Sequence, residues 1–291
     1  MNDYLVKAYA FDGTVRIYAA STTNLVEEAR KMHGTWPTAS AAFGRVLTVS
    51  LIMGAMYEGE QTLTVRIDGG GPVGEIIAFA DAHGHVKGTI ENPEVQLSHK
   101  DKLAVGLAVG NNGFIHVTKD LKIRAVFTSS AELQTGEIAD DFTYYFAASE
   151  QIPSSVGLGV LVNEENEVFA SGGFILQVMP GCKEETLQKI EKNIGNMKPI
   201  SELINTLHKP EDIINLITKG NHEFVEEMPL SYSCDCSKER FEKGLSSLGK
   251  KEIKKFVEEK EPVEITCQFC KKQYSFSTKE LDNLQKKLKK N

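Results

Sequence analysis

Cys234-Asp235-Cys236 and, thirty residues further on, Cys267-Gln268-Phe269-Cys270 hold four of the chain's five cysteines. Two close pairs joined by a short segment are how a chain delivers four thiolates to one tetrahedral Zn²⁺, at about 2.3 Å per Zn–S bond. The second pair has knuckle spacing between strand-like Val263-Glu264-Ile265-Thr266 and Gln273-Tyr274-Ser275-Phe276. The first pair, C-x-C, is tighter than the common structural spacing. Sulfurs on one such ion lie about 3.8 Å apart, so without the metal each pair is near disulfide contact. An extended i, i+2 pair spans about 6.6 Å between Cα atoms, near the upper limit for a bridge. A disulfide there would be strained, and strained exposed disulfides are the labile ones. From spacing alone three readings stay open: permanent structural zinc, zinc whose thiolates are switched by oxidation, and a metal-free dithiol.

Around this motif the chain has 291 residues and 41% apolar content, enough to bury a core and to form two or more domains. Net charge is −7, with +5 on residues 234–291 and −12 on the remainder, so no global field favours nucleic acid. Met1-Asn2-Asp3-Tyr4 lacks the basic start and apolar core of a signal peptide. The apolar stretch from Val46 to Tyr57 is too short to span a bilayer. A cytoplasmic protein is therefore expected. In such a reducing compartment, clustered cysteines are metal-bound or redox-sensing rather than structural disulfides.

Upstream, residues 4–19 read as a hairpin through Asp12-Gly13, and Thr22 or Thr23 as the cap of a short helix. Thr38 to about Tyr57 reads as a long helix. Its one charge before Glu58 is Arg45, so it is expected to be packed on most faces. Strands are expected at 62–67, 75–80, 85–90, 103–109, 114–118, 123–128, 155–162 and 167–178, and a helix at 137–149. No regular βαβ rhythm links them, so the fold class is α+β. Residues 183–219 are helical with stripes at Leu187, Ile190 and Ile194, at Leu203, Ile204 and Leu207, and at Ile213, Ile214 and Ile217, which must dock on something. Beyond them, Ser237 caps a helix with Phe241, Leu245 and Leu248 inward, and the next helix carries Ile253 and Val257. Ser277-Thr278-Lys279-Glu280 forms a capping box before a last helix with Leu281, Leu284 and Leu288 inward. The organisation expected is an α+β core at 1–180, a helical connector at 181–230 and a zinc-binding α+β domain at 231–291. So small a domain has a marginal core, and metal ligation would supply the difference.

Lys238, Arg240, Lys271 and Lys272 would lower the thiol pKa values and offset tetrathiolate charge; solvation of a Lys-rich surface explains them equally. Cys182 reads as a small buried hydrophobe, His83-Gly84-His85 as a turn rather than a ligand pair, and His222 as a connector histidine rather than a further ligand. The glycine groups match no phosphate or dinucleotide fingerprint, and no nucleophile elbow occurs, so no catalytic residue and no enzyme activity are expected. Lys286 to Lys290 read as a solvated helix face.

With Tyr232-Ser233-Cys234-Asp235-Cys236-Ser237-Lys238-Glu239-Arg240, the C-x-x-C at Cys267 to Cys270, and the helix region Gly34-Thr35-Trp36-Pro37-Thr38 through Gly54, the chain resembles the thirty-three-kilodalton heat-shock protein family over essentially its whole length. These are redox-regulated holdase chaperones of the bacterial cytosol. The resemblance implies that Cys234, Cys236, Cys267 and Cys270 hold one Zn²⁺ per chain in a reduced, inactive state. It implies that oxidant forms the disulfides Cys234–Cys236 and Cys267–Cys270 with release of zinc, unfolding of the C-terminal domain and loosening of the connector. It further implies dimerisation, ATP-independent binding of unfolding clients, and their transfer to ATP-dependent foldases; no membrane or nucleic-acid partner is expected. Two alternatives make different predictions: a zinc-ribbon module for nucleic acid or protein binds regardless of peroxide, and a thiol-disulfide oxidoreductase turns over a disulfide substrate.

Overall fold

The helix Pro37–Gly54 is apolar nearly all round, and of its eighteen residues only Pro37 and Arg45 escape full burial. A helix without a polar face needs cover on every side. Two sheets provide it in the computed structural model, which describes residues 2–100, 102–123, 125–259 and 261–287. Leu288, Lys289 and Lys290, expected on the last helix, lie outside them, as does Arg124 within the strand expected at 123–128. The architecture is α+β, and the chain divides into two compact units, Met1–Ser233 and Cys234–Asn291.

In the first unit, one sheet has the strand order Ser154–Val162, Val168–Val178, Val15–Ser21, Tyr4–Ala10, His222–Pro229. Its inner strands, Val168–Val178, Val15–Ser21 and Tyr4–Ala10, alternate between two cores, which is why they carry apolar residues on both faces. Leu5, Tyr18, Ala20 and Ile175 join the core around Pro37–Gly54. Val6, Ala8, Ile17, Ala19, Phe174 and Leu176 join a second core with Ile190, Ile204, Ile213, Ile214 and Ile217. Those isoleucines come from the helices Glu184–Gly195, Ile200–Leu207 and Pro210–Thr218. The stripes of the expected connector therefore dock on this sheet. Tyr4 adds a polar tie, its hydroxyl donating to Glu211 at 2.8 Å.

The other sheet runs Ser231–Tyr232, His85–Ile90, Ile76–Asp81, Thr62–Asp68, Phe114–Asp120, Phe127–Glu132. Its inner face, with Leu63, Val65, Ile67, Ile76, Ala78, Val86, Ile115 and Val117, closes the core over the long helix.

Several local expectations are corrected. Residues 103–109 are not a strand: Lys102–Leu103 is a two-residue strand and Val105–Val109 a helical turn. The amides of Gly71 and Val73 donate to the carbonyls of Val109 and Ala108, holding that turn against the glycine loop. The strand placed at 123–128 starts only at Phe127. Thr22 occupies the N-cap of Thr23–His33 without capping it. Its hydroxyl is spent on Thr48 and Ser171, at 2.8 and 2.9 Å. The carboxylate of Asp3 caps instead, accepting from the Asn24 and Leu25 amides at 3.2 and 2.6 Å.

Candidate metal centre

The second unit is built from the helices Lys238–Ser247, Lys250–Glu259 and Thr278–Lys287 and the hairpin of Val263–Thr266 with Gln273–Phe276. Leu245, Ile253, Tyr274, Phe276, Leu281 and Leu284 form its core, with Phe241, Val257, Val263 and Ile265 packed around them. Leu248, expected inward, is 53% exposed because it follows the end of its helix. Ser237 caps its helix by accepting from the Arg240 amide at 3.3 Å. The box at the last helix is present: the Ser277 amide donates to Glu280 at 2.8 Å, and the Glu280 amide to Ser277 Oγ at 3.4 Å.

The hairpin and the first helix converge on sulfur. After Thr266 the chain turns through a knuckle in which the Lys271 amide donates to the Cys267 carbonyl and the Cys267 amide to the Lys272 carbonyl, both at 2.9 Å. Lys271 closes that turn with φ 57°. Cys234 and Cys236 come from the segment before Lys238–Ser247. The Sγ atoms of Cys234, Cys236, Cys267 and Cys270 all lie within 4.8 Å of one another, the one such group of potential ligands among the described residues. Cys234 to Cys267 is 3.8 Å and Cys236 to Cys270 is 3.3 Å. Sulfurs on one tetrahedral zinc are about 3.8 Å apart, so four thiolates at these separations fit such an ion.

The thiols are electrostatically unequal. Burial, aided by hydrogen bonds among the sulfurs, pushes Cys234 up to about 12, and burial also raises Cys270. Cys236 moves the other way: burial opposes ionisation, but hydrogen bonding from Tyr274 and the neighbouring thiols brings it down to about 7. The Tyr274 hydroxyl is 3.2 Å from Cys236 Sγ and 3.0 Å from the Cys236 carbonyl oxygen, so its one proton is shared between these two acceptors. Sequence reasoning missed this residue. Its position one step inside the strand after the knuckle was the available signal, since that strand alternates inward at Tyr274 and Phe276. The flanking cations have other partners: Lys238 pairs with Glu280 at 2.7 Å, and Arg240 with Asp235. Lys272 lies over the Tyr274 ring.

The remaining candidates belong to the first unit. Cys182 is half-buried, at the margin of the second core. His222 bonds Thr218 Oγ1 through Nδ1 at 2.7 Å and lies edge-on to Phe224. His83 and His85 close a turn in which both amides donate to Asp81, and His85 Nδ1 is 2.9 Å from that carboxylate. Among the described residues no helix is long and apolar enough to cross a membrane.

Comparison with known proteins agrees over nearly the full length. The family model described as Hsp33 protein matches residues 3–277. The chain is 51% identical over 284 residues to the 33 kDa chaperonin of Bacillus subtilis, covering 97% of this chain and 98% of that one. It is 50% identical to the 33 kDa chaperonin of Staphylococcus carnosus, covering 97% of each. The crystal structure of the 33 kDa chaperonin (heat shock protein 33 homolog) of Thermotoga maritima superposes with a TM-score of 0.93 at 34% identity, covering 100% of both chains.

Proposed function

We infer from one premise, that this chain belongs to the Hsp33 family of chaperones, that it is an ATP-independent holdase switched by the oxidation state of Cys234, Cys236, Cys267 and Cys270. The observation that carries the reading is the gathering of these four thiols within 4.8 Å in a unit with a small core of its own. In the reduced state the four thiolates would hold one zinc ion. Bound there, zinc supplies the cross-links that tie the segment before Lys238–Ser247 to the hairpin knuckle, and a domain of about sixty residues depends on such a staple.

The switch itself belongs to the thiols. The thiolates of Cys234 and Cys236, and those of Cys267 and Cys270, each give up two electrons per pair and join their sulfurs. One peroxide molecule per pair accepts those electrons, takes two protons from solvent and becomes two waters. Sulfurs bonded to each other no longer form a tetrathiolate, so the second unit loses its staple and opens. Its core side chains, from Leu245 to Leu284, become apolar surface, and such surface binds other unfolded chains. The working divisions proposed are a core at 1–180, a connector at 181–230 that loosens in turn, and the switch at 231–291. Dimerisation in the oxidised state, a cytoplasmic location and delivery of clients to ATP-dependent foldases complete the reading.

The test is zinc content together with suppression of aggregation of a heat-unfolded client, before and after peroxide with mild warming. The expected outcome is loss of zinc with gain of suppression. Full zinc retention without any gain overturns the assignment, and suppression that ignores peroxide favours a zinc-ribbon binding module.

A further inference from the structure

Two residues before the first cysteine the chain is fastened to the first unit by a set of contacts that the thiol chemistry does not use. The Leu230 amide donates to the Asp3 carbonyl at 3.0 Å, the Ser231 amide to Gly84 at 3.0 Å and the Ser233 amide to Val86 at 2.9 Å. Ser231–Tyr232 thereby pairs parallel with His85 and Val86 at the edge of the six-stranded sheet. Between these bonds Tyr232 turns inward and is only 8% exposed. Its hydroxyl donates to the Gly88 carbonyl at 3.0 Å, accepts from the Gly88 amide at 3.2 Å, and lies 3.2 Å from Nε2 of His33. The His33 ring in turn stands edge-on to Phe43 of the long helix, centroids 5.2 Å apart.

Gly84 and Gly88 permit close packing beside this strand pair. A Cβ at Gly84, where φ is +82°, would lie 2.4 Å from the Pro229 carbonyl. At Gly88 it would lie 2.8 Å from the Ile77 carbonyl, Leu47 and Phe43. Immediately upstream is the edge strand His222–Pro229, paired to Tyr4–Ala10, and upstream of that are the docked helices. Chain order therefore places Tyr232 between the cysteines and everything the proposed switch has to reach.

We propose that Tyr232 is the latch of the first unit: a positioning residue that holds His222–Pro229 and the helices before it on the core, so that opening at the cysteines spreads to them only when its side chain leaves its pocket. The part concerning oxidation rests on the function proposed above; the latch itself does not. Removing a buried hydroxyl with three polar partners leaves the Gly88 groups unsatisfied, and a loss of that kind speeds local opening by about tenfold or more.

The experiment is hydrogen exchange on the full-length chain, wild type against Tyr232→Phe, reduced and after peroxide. Tyr145→Phe serves as the control, because it also removes a hydroxyl bonded inside the first unit, to Glu150 and Ser129. In the reduced protein Tyr232→Phe should speed exchange at 222–233 by about tenfold or more, leaving strand Thr62–Asp68 unchanged. Tyr145→Phe should not produce that local pattern. His33→Gln, which withdraws one partner and leaves the phenol, should give the same pattern more weakly. After peroxide, protection at 222–230 should be lost sooner in Tyr232→Phe than in the wild type. Unchanged exchange at 222–233, or a rise spread evenly over the first unit, overturns the latch. The reduced samples decide this even if oxidation fails to open the second unit.

Discussion

Glu27 shows at the residue scale how a sequence neighbour becomes a long-range tie. Its carboxylate accepts from Arg30 at 2.7 and 2.8 Å and, across the fold, from the Val168 amide at 2.8 Å, with Lys31 at 3.2 Å. Burial alone would raise its pKa; those hydrogen bonds outweigh it and hold the group down to about 2. A carboxyl depressed on folding stabilises above its unfolded pKa, near 4.5, and that contribution fades as pH falls toward 2. Glu27→Gln should therefore cost roughly 1–2 kcal/mol at pH 7, allowing for solvent screening at the partly exposed lysine. The difference between variant and wild type, read from denaturant unfolding, should shrink between pH 4.5 and pH 2; a pH-independent difference would contradict this account. No sequence pattern announces such a residue, because one of its three partners, the Val168 amide, lies on strand Val168–Val178. Asp3 is the same case: its capping role depends on the chain returning to it twenty-one residues later.

Elements whose neighbours lie along the chain were legible. The capping box at Ser277 and Glu280 could be read directly, and it supports a prediction: Ser277→Ala should destabilise the second unit by about 1 kcal/mol. That loss should appear as a lower melting temperature for the zinc-loaded domain, with the first unit's melting unmoved. An equal shift in both units would show that the box is not local to the second. The long helix was legible for a different reason, since an apolar run with Arg45 as its single charge has no solvent face to offer. The knuckle and its flanking strands followed from the cysteines and the alternation at Tyr274 and Phe276. The strand His222–Pro229 was not legible. It lies at a sheet edge, most of its side chains face solvent, and a bulge opposite Lys7 and Ala8 breaks its period. Val105–Val109 failed differently: a short apolar run satisfies strand and helix alike, and the glycine loop that selects the helical turn lies thirty-five residues away.

At the scale of the whole molecule, two units are stabilised by different means. Met1–Ser233 buries a helix between two sheets and a second core beneath three helices, an ample apolar interior. Among the described residues, Cys234–Asn291 has six buried core residues and four thiols drawn together. A core of that size leaves stability near zero without a staple, and this asymmetry is what makes a switch conceivable. The most direct test is hydrogen exchange across the full chain in a reducing buffer, with zinc and after its removal by a chelator. Removal should abolish protection throughout 234–287 and leave the Pro37–Gly54 helix and both large sheets as protected as before. Unaltered protection at 234–287 in the metal-free protein would contradict the account at its root.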